Sequence, residues 1–315
     1  MNLNKVMYSI SIFIVTYRQE KLIGRAIESV LAQKDWGLKS IVIGDDCSPD
    51  NNWQVIQEYQ QKYPEIIKAY RNEHNLGIYG NYEMLLANRE EADLYYFLEG
   101  DDAICDGWFK AIQEALTSRR IILNGIAAAI SSDYRIVRPN GLSIVAKNNR
   151  LIECKDVDPV SLKARNVIAF RSTFVTAATL ERYKPVDLSK GLGVAEEMAD
   201  IRPFRYSDKF YYVPFVATIY YTHIGVSMDL KGEDYNRERI SQYEWLKTLS
   251  LDKKALLYQD YRIAQSTFMI NPTWRNFRLM TNAFFKSFDK YTLKGEQKFL
   301  QCITWFRMIR LLIKH

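Results

Sequence analysis

Four short runs rich in apolar and β-branched residues constrain the fold of this chain more than any other feature. In chain order the runs are Ile10–Val15, Ser40–Ile43, Ile66–Tyr70 and Leu94–Leu98. Between the first two runs, the apolar residues from Leu22 to Leu31 recur at the spacing of an amphipathic helix. Strands that alternate with helices indicate a parallel sheet covered on both faces, because a parallel connection needs a crossover. We therefore predict an α/β fold.

Polar residues follow the carboxyl end of each predicted strand. In chain order these clusters are Thr16-Tyr17, Asp45-Asp46, Asn75 and Glu99-Gly100-Asp101-Asp102. In an open parallel sheet the carboxyl ends of the strands converge on one crevice, which is the usual ligand site. We therefore expect the four clusters to meet in space, although they are far apart along the chain.

The turn Glu99-Gly100-Asp101-Asp102 is a candidate metal site. Its three carboxylates repel one another unless a cation or solvent neutralises them, and Mg²⁺ and Mn²⁺ prefer carboxylate, water and phosphate oxygens. Gly100 allows a sharp turn and the close approach of a bulky ligand. The alternative is a solvated acidic loop that caps the helix starting near Asp106. Taken alone, these residues support both interpretations equally.

The segment Asp45-Asp46-Cys47-Ser48-Pro49-Asp50 has a structural and a ligand-binding interpretation. Structurally it is an Asx turn and a helix N-cap, with Asp50 and Ser48 as capping residues. Two adjacent aspartates exceed what capping needs, so one carboxylate is available for the N–H edge of a pyrimidine or for ribose hydroxyls. Tyr17 would stack on such a base, although a core or rim position is the commoner role for one of 21 tyrosines.

The charge distribution divides the chain into two parts. The formal net charge is +6, but residues 230–315 hold 16 basic and 8 acidic side chains, whereas residues 1–229 hold 27 basic and 29 acidic ones. A near-neutral body with a basic tail argues against a protein that coats nucleic acid. We expect no nucleic-acid partner.

Other functional classes are disfavoured by the motifs that the sequence lacks. No G-x-G-x-x-G follows the first predicted strand and no G-x-x-x-x-G-K-[ST] occurs, which argues against nicotinamide oxidoreductases and P-loop phosphotransferases. The four cysteines lack the short spacings of zinc and redox motifs, so we expect free thiols in a reducing compartment. No run approaches the ~20 apolar residues of a membrane span, and we expect a cytoplasmic protein.

Five motifs occur in a fixed order between Thr16 and Asp102. They are Thr16-Tyr17-Arg18-x-Glu20, Ile27-Glu28-Ser29-Val30-Leu31-Ala32-Gln33, Asp45-Asp46-Cys47-Ser48-Pro49-Asp50, Asn75-Leu76-Gly77-Ile78-Tyr79-Gly80-Asn81 and Leu98-Glu99-Gly100-Asp101-Asp102. Each motif is weak alone, but five in register make the match specific. In order and spacing they resemble the opening of glycosyltransferase family 2.

The resemblance implies a Rossmann-like glycosyltransferase-A fold with a mostly parallel central sheet, followed here by a C-terminal helical region. It also implies transfer of a sugar from a nucleotide-diphosphate donor, most often a UDP-sugar, with Mn²⁺ or Mg²⁺ as cofactor and inversion at the anomeric carbon. Arg18 stands where Asn is often found, Gly80 where Arg is common, and Glu99 where Asp is commoner. These departures concern the details of donor recognition rather than the class of enzyme.

The motif positions assign roles to individual residues. By the resemblance, Asp102 ligates the metal, Glu197 is the base that deprotonates the acceptor, and His223 contacts the metal or the diphosphate. The residues assigned to the nucleotide sugar are Thr16, Tyr17, Asp46, Asn75, Gly77 and Asp101. Asp200 and Glu196 are fallback candidates for the base.

The residues themselves leave other interpretations open for two of these assignments. Glu196-Glu197 also fits the acidic start of an ordinary helix, where carboxylates interact favourably with the helix dipole. His223 follows a strand-like run and also fits a hydrogen-bonded histidine at a strand end.

The end of the chain predicts a basic amphipathic helix. Its apolar face carries Trp305, Met308, Ile309 and Leu312, and its basic residues are Arg307, Arg310 and Lys314. Such a helix lies in an anionic membrane interface, packs on the body of the protein, or packs on a second subunit of a homo-oligomer. Membrane contact would suit a saccharide acceptor carried on a lipid.

These patterns together predict a catalytic domain over residues 1–230, with a nucleotide-sugar half at about 1–105 and an acceptor half at about 106–230, and a basic helical region over 231–315. The predicted function is inverting glycosyl transfer in bacterial surface polysaccharide assembly, in the cytoplasm or at the inner face of the plasma membrane. The rival is a catalytically idle scaffold of the same fold that binds the sugar nucleotide but lacks the base.

Overall fold

The first strand, β1 (Ile10–Thr16), is buried along its whole length in the computed structural model, which describes residues 7–153, 156–222, 232–287 and 313. A strand that is buried on both faces has no solvent side, so its sequence is a continuous apolar run rather than an alternating one. The last six residues of β2 (Leu38–Asp45) are buried in the same way.

The described residues contain further strands and a series of helices. The strands are β3 Ile67–Arg71, β4 Leu94–Glu99, β5 Ala103–Ile104, β6 Ala128–Val137, β7 Ser143–Ala146, β8 Thr173–Thr176 and β9 Lys209–Tyr221. The helices are α1 Ile23–Leu31, α2 Asn52–Lys62, α3 Gly77–Ala87, α4 Trp108–Ser118, α5 Arg150–Glu153, α6 Pro159–Ala164, α7 Ala177–Glu181, α8 Leu192–Arg205, α9 Gly232–Lys247, α10 Lys253–Ile270 and α11 Trp274–Ser287.

The strands form one sheet in the order β3-β2-β1-β4-β8-β6-β9-β5, with β7 paired to β6. The strands β1 to β4 pair in parallel, and the helices α1, α2 and α3 lie between them in the chain, as the alternation predicts. β8 then pairs with both β4 and β6 in antiparallel. The predicted α/β fold, a mostly parallel central sheet followed by C-terminal helices, is confirmed.

Two stretches with weak sequence signals form strands. The stretch 121–145, which mixes strand and turn character, contributes the antiparallel pair β6 and β7. The run 210–221, predicted as one or two strands, belongs to the single strand β9, whose register with β6 shifts twice between Ser131 and Tyr134. A shift of this kind bends a long strand without ending it.

An aromatic cluster joins β4, β8 and α4. The ring of Phe174 lies 4.5 Å from that of Trp108, 5.6 Å from Tyr96 and 5.7 Å from Phe109, measured between centroids. The indole N–H of Trp108 donates to the hydroxyl of Ser132 at 3.1 Å, so the buried ring leaves no polar atom unpaired. Tilted and edge-on ring pairs of this kind each add about 0.5–1.5 kcal/mol beyond the burial of their area.

The chain divides into two compact units. The first contains Met1–Glu153, Ala169–Val186 and Arg202–Met228, and the second contains Cys154–Ile168, Asp187–Ile201 and Asp229–His315. The second unit has its own apolar clusters, one built on Tyr243 and Leu246 and one on Tyr258 and Phe268. The domain boundary near residue 230 stays a prediction.

The structure addresses the membrane and tail predictions only in part. Across residues 7–153, 156–222 and 232–287, none of the helices combines the length and the apolar character that crossing a bilayer requires. The predicted apolar face formed by Trp305, Met308, Ile309 and Leu312 lies outside the described residues.

Replacing Phe174 by Ala should lower the free energy of unfolding by about 3–5 kcal/mol, because the truncation leaves a cavity among three packed rings. Urea unfolding followed by tryptophan fluorescence measures the change. The matched control is Ile122→Ala, since Ile122 is 71% exposed and its loss should cost less than about 0.5 kcal/mol. Equal losses for the two variants would show that the aromatic cluster does not hold the sheet together.

Candidate active site

The carboxyl ends of β1, β2 and β4 are joined by backbone hydrogen bonds beyond the strands. The N–H of Asp46 donates to the carbonyl oxygen of Thr16 at 3.0 Å, and the N–H of Gly100 donates to that of Val15 at 2.9 Å. Three of the four predicted polar clusters therefore lie side by side. Tyr17, which follows Thr16, is half-buried at this edge of the sheet.

Asp46 connects these strand ends to the segment after β3. Its Oδ1 accepts hydrogen bonds from the N–H of Leu76 and the side-chain amide of Asn72, both at 2.8 Å. In the same segment, the side-chain oxygen of Asn75 accepts a hydrogen bond from the N–H of Gly77 at 2.9 Å, which forms the turn into α3. All four clusters thus meet at one edge of the sheet, as the parallel pairing predicts.

Asp45 stabilises the loop that follows β2. Its Oδ1 accepts from the side-chain amide of Asn52 at 2.6 Å, its Oδ2 accepts from the N–H of Ser48 at 3.1 Å, and Nε of Arg71 lies 3.2 Å from that second oxygen. The side chain is fully buried. Of the two adjacent aspartates, Asp45 therefore organises the loop, and Asp46 stays the residue proposed for ligand binding.

The backbone takes an unusual conformation where the loops leave β1 and β2. Arg18 and Cys47 have φ angles of 56° and 57°, in the left-handed region that non-glycine residues seldom adopt. Asn tolerates this region better than Arg does, which gives a physical reason for the Asn that the family often places at the position of Arg18. Strained residues of this kind cluster at ligand sites.

The acidic turn after β4 brings three carboxylates together. Glu99, Asp101 and Asp102 each place one carboxylate oxygen within 4.8 Å of the others, and Asp101 and Asp102 are buried. A Cβ atom at Gly100 would lie 2.9 Å from Cβ of Thr16, which is fixed at the end of β1, and 2.5 Å from Oε1 of Gln19, so a side chain fits here only if the turn shifts. The tight packing of this turn therefore requires glycine.

Burial makes the negative charges of this turn costly. Burial, reinforced by the neighbouring charge of Glu99, raises the pKa of Asp101 to about 6. Burial also raises the pKa of Asp102 well above its ordinary value, although the guanidinium of Arg171 opposes this shift. Carboxylates in such surroundings gain free energy when a cation binds, which is a mark of functional sites.

Arg171 supplies one cation to the turn. Its Nη1 lies 3.0 Å from Oδ2 of Asp102, and its Nη2 lies 3.4 Å from Oε1 of Glu99. The guanidinium carbon is 3.7 Å from the centroid of the Tyr220 ring. The other oxygen of Asp102 accepts a hydrogen bond from the N–H of Tyr221 at 3.1 Å. Both oxygens of Asp102 are thus engaged.

Arg25 approaches the same turn on the neighbouring tyrosine. Its guanidinium carbon lies 3.8 Å from the centroid of the Tyr221 ring, and it donates to the backbone carbonyl of Asp101. Its Nε is buried without a hydrogen-bond partner among the described residues. At the end of β9, Tyr220 and Tyr221 therefore each stack against an arginine. Arg171 on Tyr220 contacts carboxylates of the acidic turn, and Arg25 on Tyr221 contacts its backbone.

The donor set of the turn fits a divalent metal ion. Carboxylate oxygens are the hard ligands that Mg²⁺ and Mn²⁺ prefer, and Asp102, the predicted ligand, is one of the three donors that converge here. His223, the other predicted metal contact, lies outside the described residues, so its role stays a prediction.

Glu197, the predicted base, is buried in α8 within the second unit. Its Oε1 lies 2.8 Å from Nζ of Lys163, and its Oε2 accepts a hydrogen bond from the side-chain amide of Gln242 at 2.6 Å. Burial lowers the pKa of Lys163, but the charges of Glu197 and Asp200 outweigh burial and raise it above its ordinary value. These contacts hold Glu197 in one orientation.

The two fallback candidates for the base have more accessible carboxylates. Oδ2 of Asp200 lies 3.6 Å from Nζ of Lys163, and the side chain of Asp200 is 17% exposed. Glu196 lies 3.5 Å from a guanidinium nitrogen of Arg239, and its side chain is 42% exposed. The three carboxylates therefore form a series of increasing solvent access in the order Glu197, Asp200, Glu196.

Sequence reasoning missed the cations that these carboxylates contact. Arg171 and Lys163 belong to a stretch with weak periodicity and match no motif, and β8 reaches β4 only through tertiary pairing. The sequence could have predicted that some cation lies near the acidic turn, because buried carboxylates require one. That argument does not say which of the chain's arginines and lysines supplies it.

Residues 11–161 match the family described as Glycosyl transferase family 2. The matched region, slightly less than half of the chain, is similar to glycosyltransferase family 2. The match includes all five motifs and the acidic turn, and it ends within α6. The predicted resemblance is confirmed.

Two curated relatives match part of this chain. The processive diacylglycerol beta-glycosyltransferase of Mycoplasma pneumoniae is 30% identical over 122 residues, which are 37% of this chain and 35% of that protein. The poly(ribitol-phosphate) beta-N-acetylglucosaminyltransferase TarS of Staphylococcus aureus is 30% identical over 100 residues, which are 31% of this chain and 17% of that protein. The matched regions thus span about a third or less of these curated relatives.

Solved structures extend the likeness over most of the chain. S. aureus TarS 1–349 in complex with UDP-GlcNAc matches with a TM-score of 0.56 and 16% identity, covering 87% of this chain and 79% of that one. The mannosyltransferase of Pyrobaculum calidifontis in complex with GDP-Man and Mn²⁺ matches with a TM-score of 0.50 and 10% identity, covering 96% and 81%. At these identities the likeness establishes the glycosyltransferase-A fold.

Replacing Lys163 by Met should destabilise the protein by about 3–5 kcal/mol, because it leaves the charge of Glu197 buried without its partner. The matched control in the same unit is Lys190→Met, which removes an exposed ion pair with Asp187 and should cost less than about 1 kcal/mol. Thermal and urea unfolding measure both variants. A double variant with Glu197→Gln should recover part of the loss, and a Lys163→Met variant as stable as the control would contradict the buried pair.

Proposed function

We propose that the chain is an inverting, metal-dependent glycosyltransferase that moves a hexose from a UDP-sugar to a saccharide acceptor. The observation that supports the proposal most directly is the acidic turn Glu99–Asp102, which lies at the same sheet edge as Thr16 and Asp46 within a family 2 region. TarS, which shares the fold, was solved with UDP-GlcNAc, and this supports a UDP-sugar as donor.

The nucleotide is proposed to bind where β1 and β2 end. The half-buried ring of Tyr17 offers a face for the base, and the buried carboxylate of Asp46 is proposed to contact the base and ribose. Thr16 and Asp101 lie beside them, with Asp101 assigned to the ribose. Because Asp46 is already oriented by two hydrogen bonds through Oδ1, binding would order little more of this carboxylate.

Asp102, with Glu99 and Asp101, would hold Mn²⁺ or Mg²⁺. The bound metal supplies positive charge that stabilises the departing diphosphate. The mannosyltransferase with the same fold was solved with Mn²⁺, which supports manganese as one candidate. The N–H of Tyr221 holds Oδ1 of Asp102 at 3.1 Å, and Oδ2 lies 3.0 Å from Nη1 of Arg171.

Glu197 is our proposed base for the acceptor hydroxyl, with Asp200 and Glu196 as the alternatives. Inverting transfer needs a carboxylate that accepts the proton of the hydroxyl as the diphosphate leaves. The Lys163 ammonium and the Gln242 amide hold Glu197 in one rotamer, which favours a positioned base. The greater solvent access of Asp200 and Glu196 favours the alternatives, so the three are compared below.

The acceptor is proposed to be a saccharide of a bacterial surface polymer, carried on a lipid. The Mycoplasma pneumoniae relative is named for a diacylglycerol acceptor, and TarS is named for a poly(ribitol-phosphate) acceptor. The excess of basic residues after position 230 suits attraction to anionic headgroups, so we propose action at the cytoplasmic face of the membrane.

Thermal shift with nucleotide sugars, with and without Mn²⁺, tests the donor and metal assignments. UDP-sugars with Mn²⁺ should stabilise the protein more than GDP- or TDP-sugars do, because the stabilisation grows with the ratio of ligand concentration to Kd. A ligand at 100 times its Kd contributes about 2.7 kcal/mol. Asp102→Asn should lose the metal-dependent part of the shift and reduce transfer by a factor on the order of 10²–10³. Asp208→Asn, which alters an exposed carboxylate paired with Arg182, is the control. Undiminished transfer by Asp102→Asn would refute the metal assignment.

The variants Glu197→Gln, Asp200→Asn and Glu196→Gln separate the three candidates for the base. Removing the true base should reduce kcat by about 10²–10⁴ and leave UDP binding unchanged, because the base acts on the acceptor hydroxyl. The other two variants should keep most of the activity. Calorimetric UDP binding and transfer to a lipid-linked acceptor are measured for all three, and full activity of Glu197→Gln would exclude Glu197.

The same set of variants tests the idle scaffold. A scaffold that only binds sugar nucleotides would show UDP binding and no transfer from any donor in the parent protein. Transfer by the parent and its loss in one carboxylate variant would rule the scaffold out.

A further inference from the structure

Arg171 engages the same oxygen atom that a metal ion would need. Oδ1 of Asp102 is taken by the N–H of Tyr221 at 3.1 Å, and Oδ2 lies 3.0 Å from Nη1 of Arg171. The guanidinium also lies 3.4 Å from both oxygens of Glu99. A guanidinium and a divalent ion both seek carboxylate oxygens, so they compete for Oδ2 of Asp102.

The position of Arg171 is built by several side chains. The guanidinium stacks on the ring of Tyr220 at 3.7 Å and lies 5.3 Å from the ring of Phe170. Its side chain is only 19% exposed, and that of Asp102 is 5% exposed. Stacking and paired contacts to two carboxylates are the arrangement for which arginine is better suited than lysine.

We propose that Arg171 is a resident counter-ion of the acidic turn, which the metal displaces from Asp102 and which then pairs with the diphosphate of the donor. This inference rests on the proposed function, because a diphosphate donor is part of it. A guanidinium released from Asp102 in a partly buried site is costly without a new anion. The diphosphate is such an anion, so metal and nucleotide favour each other's binding.

The surroundings of Arg171 favour a short displacement over a large rearrangement. The stacked ring of Tyr220 allows the planar guanidinium to slide while keeping contact with the ring face, because stacking depends little on direction within the plane. Arg25 stays beside the turn, stacked on Tyr221 and bonded to the carbonyl of Asp101. The turn therefore keeps one arginine while the other changes partner.

Mn²⁺ binding without nucleotide tests the displacement step. Free Mn²⁺ is measured by electron paramagnetic resonance for the parent and for Arg171→Gln, and the variant should bind Mn²⁺ at least tenfold more tightly because its competitor is gone. Arg171→Lys should fall between them, and Tyr220→Leu should also tighten binding by loosening the arginine. Circular dichroism confirms that each variant is folded.

Arg182→Gln is the matched control for this measurement. Arg182 pairs with Asp208 at 2.9 Å in the same unit, and its substitution should leave Mn²⁺ affinity unchanged. Mn²⁺ binding by Arg171→Gln that is equal to or weaker than that of the parent would overturn the proposal.

Comparison of UDP with uridine tests the second step. In the presence of saturating Mn²⁺, Arg171→Gln should bind UDP about tenfold more weakly than the parent and bind uridine equally well, since only UDP carries the diphosphate. Equal UDP affinity would overturn the pairing with the diphosphate. If the parent protein transferred no sugar but Arg171→Gln still showed these changes in Mn²⁺ and UDP affinity, the proposed function would be refuted and the counter-ion role would stand.

Discussion

The convergence of three carboxylates at the end of β4, two of them buried, is the constraint on which the rest of this site depends. Packed charges of one sign are stable only beside cations, and the fold places Arg171 on Asp102 and Glu99. The tight packing of the same turn leaves room for a side chain at Gly100 only if the turn shifts. The arrangement of the acidic turn therefore reflects two requirements: a cation beside its carboxylates, and tight packing at Gly100.

In the second unit a lysine, rather than an arginine, compensates a buried carboxylate. Lys163 and Glu197 are both nearly inaccessible to solvent, and their atoms lie 2.8 Å apart. Arg171 is more exposed than Lys163, and its contacts to Glu99 are longer. A deeply buried, short pair is suited to a permanent position, whereas a stacked arginine at longer range is suited to exchange of partners. Burial thus distinguishes Lys163 from Arg171, which we propose to be exchangeable.

Proteins with this fold were solved with different nucleotide sugars. Structures with the same architecture were solved with UDP-GlcNAc in one protein and with GDP-Man in another, at 16% and 10% identity to this chain. In the proposed function, selection between donor bases depends on residues at the carboxyl edge of the parallel strands, such as Tyr17 and Asp46, rather than on the sheet.

The sequence alone determined the local order of the molecule. Continuous apolar runs with helices between them predicted the parallel strands, since the period of the apolar residues follows from the geometry of each element. The convergence of Thr16, Asp46, Asn75 and the acidic turn followed from the rule that parallel strand ends share one edge. The resemblance to the family added the roles proposed for these residues, which geometry alone does not supply.

The tertiary structure decided which distant charges meet. Arg171 reaches Asp102 because β8 pairs with β4, and Lys163 reaches Glu197 although 34 residues separate them in the chain. It also decided that Asp45 is structural, since Arg71 of β3 contacts a carboxylate that Ser48 and Asn52 in the segment after β2 also engage. A local pattern carries no information about contacts between remote segments, because these depend on strand order and packing of the whole sheet.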